Sequence, residues 1–417
     1  MLRAAPKFKH LVFGGGGAKG TGLLGAICAL EQNNHLLSIE SYAGTSVGAI
    51  IAYNRALGIK PSFLNHFMGL PSGDPDTSRA LKTLKPTNLY TIVERSKKQI
   101  YYPEGMFDLA LTTTSYGLFG GDPLHISNAL TFDHPVVLEE LRLLTEFKKM
   151  IRANRSELDT ALSKKETDML LEVLENVEAI TLGEWGQFIE SLSRQMRDVT
   201  GLSHFSSTAT KVNDVIMSPI TFTSMPNTPF TDHSANVPMI LAMAASASFP
   251  WSLPPVSIDA LGIKCIDGGV FQNLMYTPKL FGEDETLLIN LGHKKAQDAW
   301  DYRTFYNFSE LNRIVMNILF KRRPEIEALY YDSVLGYPIT PKMCLIGINE
   351  HAVSSNAKPI ATLTLQPTKE QLIALYESAF TLTRRAIEAD ELTPGKVIVD
   401  FAGYPYGSFI NSLREFN

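Results

Sequence analysis

The chain has 417 residues, 45% hydrophobic and 19% charged, with a formal net charge of −5. That is a globular composition, long enough for one large domain with insertions or for two domains, and its charge balance leaves no electrostatic footprint for nucleic acid. No run reaches the roughly 18 apolar residues of a membrane-spanning helix. The opening MLRAAPKFKHLVF lacks the apolar core of a cleavable signal peptide, so the chain is expected to be soluble and cytoplasmic, or to leave its cell without such a peptide.

HLVF (His10–Phe13) is a short apolar run ending in glycine and reads as a buried strand. It leads into FGGGGAKGTG, where glycine dominates. Each glycine in a regular element costs about 0.5–1 kcal/mol against alanine, so this density implies a backbone that must approach something closely. Thr21–Asn34 follows with helical spacing, Leu23, Leu24, Ile27 and Leu30 sharing one face. ESYAGTSVGAIIAYNRALG repeats the plan: a strand, a tight turn at Gly44–Val47, a helix to Gly58. Two such units in succession predict a parallel α/β sheet with helices on both faces.

Residues 71–120 are rich in Pro, Gly, Thr and Tyr without a clean period, and Met106–Gly121 at their end is apolar and glycine-bearing. That stretch suits a lid over an apolar groove, or a core segment. From about Pro135 to Glu178 the pattern is helical and charged; two helices are expected, the second capped by Ser156. The sheet is expected to resume over Asp214–Met225, followed by a helix in VPMILAMAASASF and a strand at IKCID ending at Asp267. Further strands are expected at Thr286–Gly292 and Cys344–Ile348, and helices at Tyr302–Phe320 and Lys369–Ala389. Cys28, Cys265 and Cys344 are widely spaced, form no metal pattern and read as buried free thiols of a reducing compartment. The basic clusters KKMIRANR (Lys148–Arg155) and FKRRP (Phe320–Pro324) suit solvated faces or anionic lipid headgroups.

Three readings of the glycine loop compete. A phosphate-binding P-loop needs lysine after its last glycine, and here Lys19 precedes Gly20. A dinucleotide fingerprint is met by Gly15, Gly17 and Gly20, with Glu40 where a ribose-binding acid is expected. The third is an oxyanion hole of backbone N–H groups, which requires a nucleophile nearby. GTSVG (Gly44–Gly48) supplies a G-x-S-x-G elbow between predicted strand and helix, with small neighbours around Ser46; the plainer reading is a turn in which Ser46 caps the helix. A nucleophilic serine needs a base. Asp267 of CIDGG stands at a strand end followed by Gly268 and Gly269; it is either the base itself or the acid of a Ser–His–Asp triad completed by His293 or His351.

GGGGAKG, GTSVG and DGG, in this order, resemble the signatures of patatin-like phospholipases, and GLFGGDPL (Gly117–Leu124) and MAASASFPWSLPPV (Met243–Val256) resemble further segments of that family. The resemblance spans roughly residues 8–292 and has the flavour of bacterial members, secreted effectors among them. It implies a three-layer α/β/α fold with a mainly parallel central sheet and a helical insertion. The catalytic domain would occupy residues 1–300, with the insertion at about 135–180 and a C-terminal extension over 301–417. It implies a lipid acyl hydrolase of phospholipase A or lysophospholipase type, with Ser46 as nucleophile, Asp267 as base and no histidine. Gly15, Gly16 and Gly17 would form the oxyanion hole, with Lys19, Gly20, Gly44, Gly48, Gly268 and Gly269 supporting the motifs. No metal or cofactor is implied. The expected partners are a phospholipid or lysophospholipid, a membrane surface bound peripherally and an activating host protein. A dinucleotide-binding oxidoreductase, a Ser–His–Asp esterase and an inactive binding module are the alternatives.

Overall fold

The computed structural model of the chain describes residues 8–67, 70, 134–211, 218–249, 253–270, 272–275, 278–282, 284–291, 342–348 and 367–399. In chain order these form β1 (His10–Phe13), α1 (Gly20–Gln32), β2 (Ser41–Thr45), α2 (Val47–Ala56), α3 (Pro61–Phe67), α4 (Pro135–Ala153), α5 (Arg155–Ala161), α6 (Lys164–Glu175), α7 (Leu182–Ser191) and α8 (Arg194–Thr200). Then come β3 (His204–Lys211), β4 (Ser218–Thr223), α9 (Thr231–Ser234), α10 (Met239–Ala247), β5 (Val256–Ile258), β6 (Ile263–Ile266), α11 (Pro278–Phe281), β7 (Thr286–Leu291), β8 (Met343–Ile348), α12 (Lys369–Glu388) and β9 (Val397–Val399).

The fold is α/β, a mixed, mainly parallel sheet flanked by helices. Five strands follow β1 in parallel pairing: β2 and β3 on one side, β7, β8 and β9 on the other. The chain therefore reverses its direction of sheet growth at β1, between β2 and β7, and such sheets bind ligands beyond the C-terminal strand ends beside that reversal. The two-residue period of a strand divides the core. Leu11 and Phe13 of β1 join the cluster under α1, α2, α10 and α12, while Val12 joins a smaller cluster with Leu274, Leu280 and Phe281 on the other face. The strand and helix from the 301–417 region are continuous with this architecture: β8 pairs with β7, and α12 packs along α1.

Strand β3 places the site. It has two edges, and β4 occupies one of them over Ser206–Lys211. On the other edge β2 runs parallel as far as Thr208, and β6 arrives antiparallel at Thr210 and Lys211. The C-terminal ends of β2 and β6 thus meet almost head to head, two residues apart along β3.

Two expectations are corrected. The sheet resumes at His204, ten residues earlier than expected: β3 reads HFSSTATK, and the hydroxyls of Ser206, Ser207 and Thr210 are buried by hydrogen bonding instead of by apolar contact. The 135–178 stretch holds three helices. Ser156 is the second residue of α5 and caps nothing; Asn154 ends α4 and starts α5, and Ser163 opens α6 with a capping box to Glu166. The proposed lid Met106–Gly121, the GLFGGDPL segment, the helix Tyr302–Phe320 and the FKRRP cluster lie outside the described residues. Among the described residues no helix is long and apolar enough to cross a membrane, and Cys28, Cys265 and Cys344 are all buried and form no disulfide.

Candidate active site

Ser46 follows β2 directly and adopts φ 56°, ψ −128°, a conformation that a non-glycine residue holds only at a cost of about 1–3 kcal/mol. The turn is tight enough that a methyl on Gly44 would strike the Gly48 carbonyl, and one on Gly48 would lie 2.6 Å from the carbonyl oxygens of Phe13 and Gly14. Glycine at both positions is therefore a steric requirement. Although Ser46 occupies the N-cap position of α2, its hydroxyl makes no capping bond. It donates instead to Asp267 Oδ2 at 2.5 Å.

Asp267 directly follows β6 and is buried. Each of its polar groups is held: the N–H donates to the Ser248 carbonyl (2.9 Å), the carbonyl accepts from Thr210 Oγ1 (3.0 Å), and Oδ1 accepts the Gly269 N–H (2.7 Å). Gly268 passes so close to the Thr208 carbonyl that any side chain would collide with it. Burial pushes the Asp267 carboxyl up to about 7, against the lowering effect of the Ser46 and Gly269 hydrogen bonds.

The glycine loop leaves β1 beside this pair. Gly14 N–H donates to Ile289 O and Gly15 N–H to Asn273 O, both at 2.9 Å. Neither Gly16 nor Gly17 N–H meets an acceptor among the described residues, so the loop's available donors are these two and not Gly15. Gly17 has φ 57°, the left-handed region that turns the chain into α1. Lys19 is buried, and Gly20 packs against Val47, so the first turn of α1 rests on the elbow.

Several residues that the motifs do not identify complete the arrangement. Ser246, on α10, accepts the Ser46 N–H (3.0 Å) and donates to Thr208 O (2.6 Å). His134 caps α4: its Nδ1 accepts from Val136 N–H, so Nε2 carries the proton toward Ser248 Oγ (3.1 Å) and Pro254 O (3.3 Å). Burial lowers this imidazole to about 4, so it stays neutral. His134 thereby ties the helical insertion to the residue that holds the Asp267 backbone. Ser246 lies inside the Ala/Ser-rich segment that the sequence marks out; nothing in the pattern distinguishes it from its neighbours.

His293 and His351 lie outside the described residues. Glu40 lies at the wrong end of the sheet for a ribose. Its N–H bonds to Lys9 O ahead of β1 and β2, whereas the glycine loop follows β1. Among the described residues no group of three or more His, Cys, Asp or Glu side chains is placed to hold a metal ion. A cavity of about 640 Å³, lined by Leu57, Phe63, Phe147 and Leu174 among others, opens at the C-terminal end of α2, with neither Ser46 nor Asp267 in its wall.

A family model for patatin-like phospholipase matches residues 11–278. No curated protein sequence matches the chain. Among solved structures, VipD from Legionella pneumophila is similar over 95% of this chain and 72% of its own, at 16% identity and a TM-score of 0.45. The type III effector protein ExoU, of Pseudomonas aeruginosa, is similar over 93% of this chain and 54% of its own, at 16% identity and a TM-score of 0.42. Human GIVD cytosolic phospholipase A2 is similar over 92% and 59%, at 12% identity and a TM-score of 0.34. The chain thus spans little more than half the length of the last two.

Proposed function

Because the chain belongs to the patatin-like phospholipase family, we propose that it hydrolyses acyl esters of phospholipids or lysophospholipids with a Ser46–Asp267 dyad. The observation that carries this reading is the 2.5 Å hydrogen bond from Ser46 Oγ to a buried carboxylate oxygen of Asp267, made from a strained turn. Ser46 Oγ attacks the ester carbonyl as its proton passes to Asp267. The tetrahedral oxyanion takes hydrogen bonds from Gly16 and Gly17 N–H. Protonated Asp267 then delivers the proton to the departing alcohol oxygen, and water, deprotonated by the same carboxylate, frees the fatty acid from Ser46. An aspartate at its ordinary pKa near 3.9 is a weak base for a hydroxyl. One raised to about 7 holds the proton more firmly while remaining substantially ionised at neutral pH.

The reading assigns residues 1–300 to the catalytic unit, the helices at about 135–180 to an insertion, and β8, α12 and β9 to the completion of its sheet from the 301–417 region. It makes the membrane surface the place of action, with the protein bound peripherally. The resemblance to bacterial effectors adds delivery into a host cell and activation by a host protein. Fatty acid release from phosphatidylcholine and lysophosphatidylcholine vesicles, measured for the wild type and Ser46→Ala with and without eukaryotic cell extract, tests these points together. Release that depends on Ser46 supports the dyad, and stimulation by extract supports the activator. Substantial release by Ser46→Ala removes the proposed nucleophile.

A further inference from the structure

Asn273 lies six residues beyond Asp267 and outside the three signatures. It grips one residue of the glycine loop on both of its peptides: its main-chain carbonyl accepts the Gly15 N–H at 2.9 Å, and its amide nitrogen reaches the Gly15 carbonyl, in the peptide that carries the Gly16 N–H, at 3.4 Å. The amide also borders both reacting side chains. A methyl placed on Gly15 would lie 2.5 Å from Asn273 Oδ1 and 3.1 Å from Ser46 Cβ. One placed on Gly269 would lie 3.1 Å from Asn273 Oδ1 and 2.9 Å from Asp267 Oδ1. Asn273 therefore occupies the junction of glycine loop, nucleophile turn and aspartate loop.

From this geometry we propose that Asn273 is a positioning residue for the hydrolysis, holding the glycine loop so that the Gly16 and Gly17 N–H groups converge on the developing oxyanion. The inference rests on the Ser46–Asp267 reading and deepens it. The physical reason lies in the loop's composition. Four consecutive glycines impose few conformational limits of their own, so the direction of the two available N–H groups must come from outside. Anchors at Gly14, through Ile289 O, and at Gly15, through Asn273, fix the peptides immediately before them. The Ile289 anchor is sheet backbone and persists in any side-chain variant, and so does the Asn273 carbonyl. The amide is the part of the clamp that mutation removes. Preorganised donors act on the transition state more than on the bound substrate, so loosening them lowers kcat and leaves KM nearly unchanged.

The test uses the full-length protein and a soluble short-chain p-nitrophenyl ester, with Ser46→Ala as the reference for background. Asn273→Ala is expected to lower kcat by about 10- to 100-fold at near-constant KM, less than the about 10²–10³-fold loss of a whole oxyanion donor. Asn273→Asp keeps the size of the side chain but places a second carboxylate beside Asp267. It is expected to lower kcat by at least as much and to move the acid limb of the kcat/KM profile to higher pH. Loss of a merely structural contact would move neither the kcat-to-KM split nor that limb. Should Asn273→Ala fail to fold by circular dichroism, Asn273→Asp and Asn273→Ser carry the same test. Folded variants with wild-type kcat, measured where Ser46→Ala is inactive, overturn this inference alone. Activity in Ser46→Ala overturns the dyad beneath it.

Discussion

Ser46 is held chiefly by close main-chain packing with no room for side chains, whereas Asp267 is held by hydrogen bonds with hydroxyl and main-chain groups. Around the nucleophile, Gly44, Gly48 and Gly15 let three stretches of main chain touch. Around the base, Thr210 Oγ1 donates to the Asp267 carbonyl, the Ser248 carbonyl accepts its N–H and the Gly269 N–H donates to Oδ1, while Ser246 links this network to the nucleophile by bridging Thr208 O and the Ser46 N–H. The difference is one of tolerance. A steric fit with no room for a methyl fails outright when mutated. A hydrogen-bond lattice loses one bond at a time, each worth about 1–3 kcal/mol when a buried partner is left unsatisfied.

The largest effects are expected where the two regions meet. Ser46→Ala and Asp267→Asn should each lower ester turnover by about 10⁴-fold or more, while His134→Ala stays within about tenfold of wild type because its neutral ring only braces Ser248. Steady-state kinetics on a soluble ester checks both. Asp267→Asn carries a second signature. The folded-state pKa near 7 lies above the ordinary 3.8, so the native protein binds more protons than the unfolded chain between those values. Stability from this group is therefore present at low pH and is lost as pH rises from about 4 to about 7. Asp267→Asn removes that loss, and its Tm should exceed the wild-type value at pH 8 although the enzyme is inactive.

On the nucleophile side, Gly48→Ala forces a methyl against two backbone carbonyls and should destabilise the fold by about 3 kcal/mol or more, read by urea titration. On the base side, Ser246→Ala should cost about 1–3 kcal/mol and lower kcat/KM by about tenfold, leaving a folded, slower enzyme. If Gly48→Ala were tolerated and Ser246→Ala unfolded the protein, the contrast would be inverted. The smallest effect belongs to the insertion. Ser163→Ala removes the cap of α6, far from the site, and should cost about 1 kcal/mol with kinetics unchanged.

The same contrast explains what is readable in the sequence. Strands β1 and β7 are apolar runs, HLVF and TLLINL, and are recognisable without a structure. The glycine signatures are equally plain, because the steric demand they meet excludes almost every other residue. Strand β3 is not readable in this way. Ser206, Ser207, Thr208 and Thr210 have no exposed surface, yet hydropathy reads them as a loop. For three of them burial depends on partners distant in sequence: Thr223 for Ser206, Ala242 for Ser207 and Asp267 for Thr210. Ser246 and Asn273 are hidden for the same reason, their roles being set by neighbours about 200 and 260 residues away. Glu40 shows the converse: its spacing from the glycine loop fits a ribose-binding acid, and only strand direction reveals that it stands at the opposite end of the strands.

The pH dependence of covalent labelling at Ser46 by a fluorophosphonate, followed by intact-mass spectrometry, tests the central claim most directly, since it needs neither a lipid surface nor an activator. The Ser46–Asp267 dyad predicts a single adduct, absent in Ser46→Ala. Its rate of formation should rise through an apparent pKa near 7 in the wild type and be slow and flat across that range in Asp267→Asn. An adduct on another residue, or an Asp267→Asn protein that labels at the wild-type rate with the wild-type profile, would contradict it.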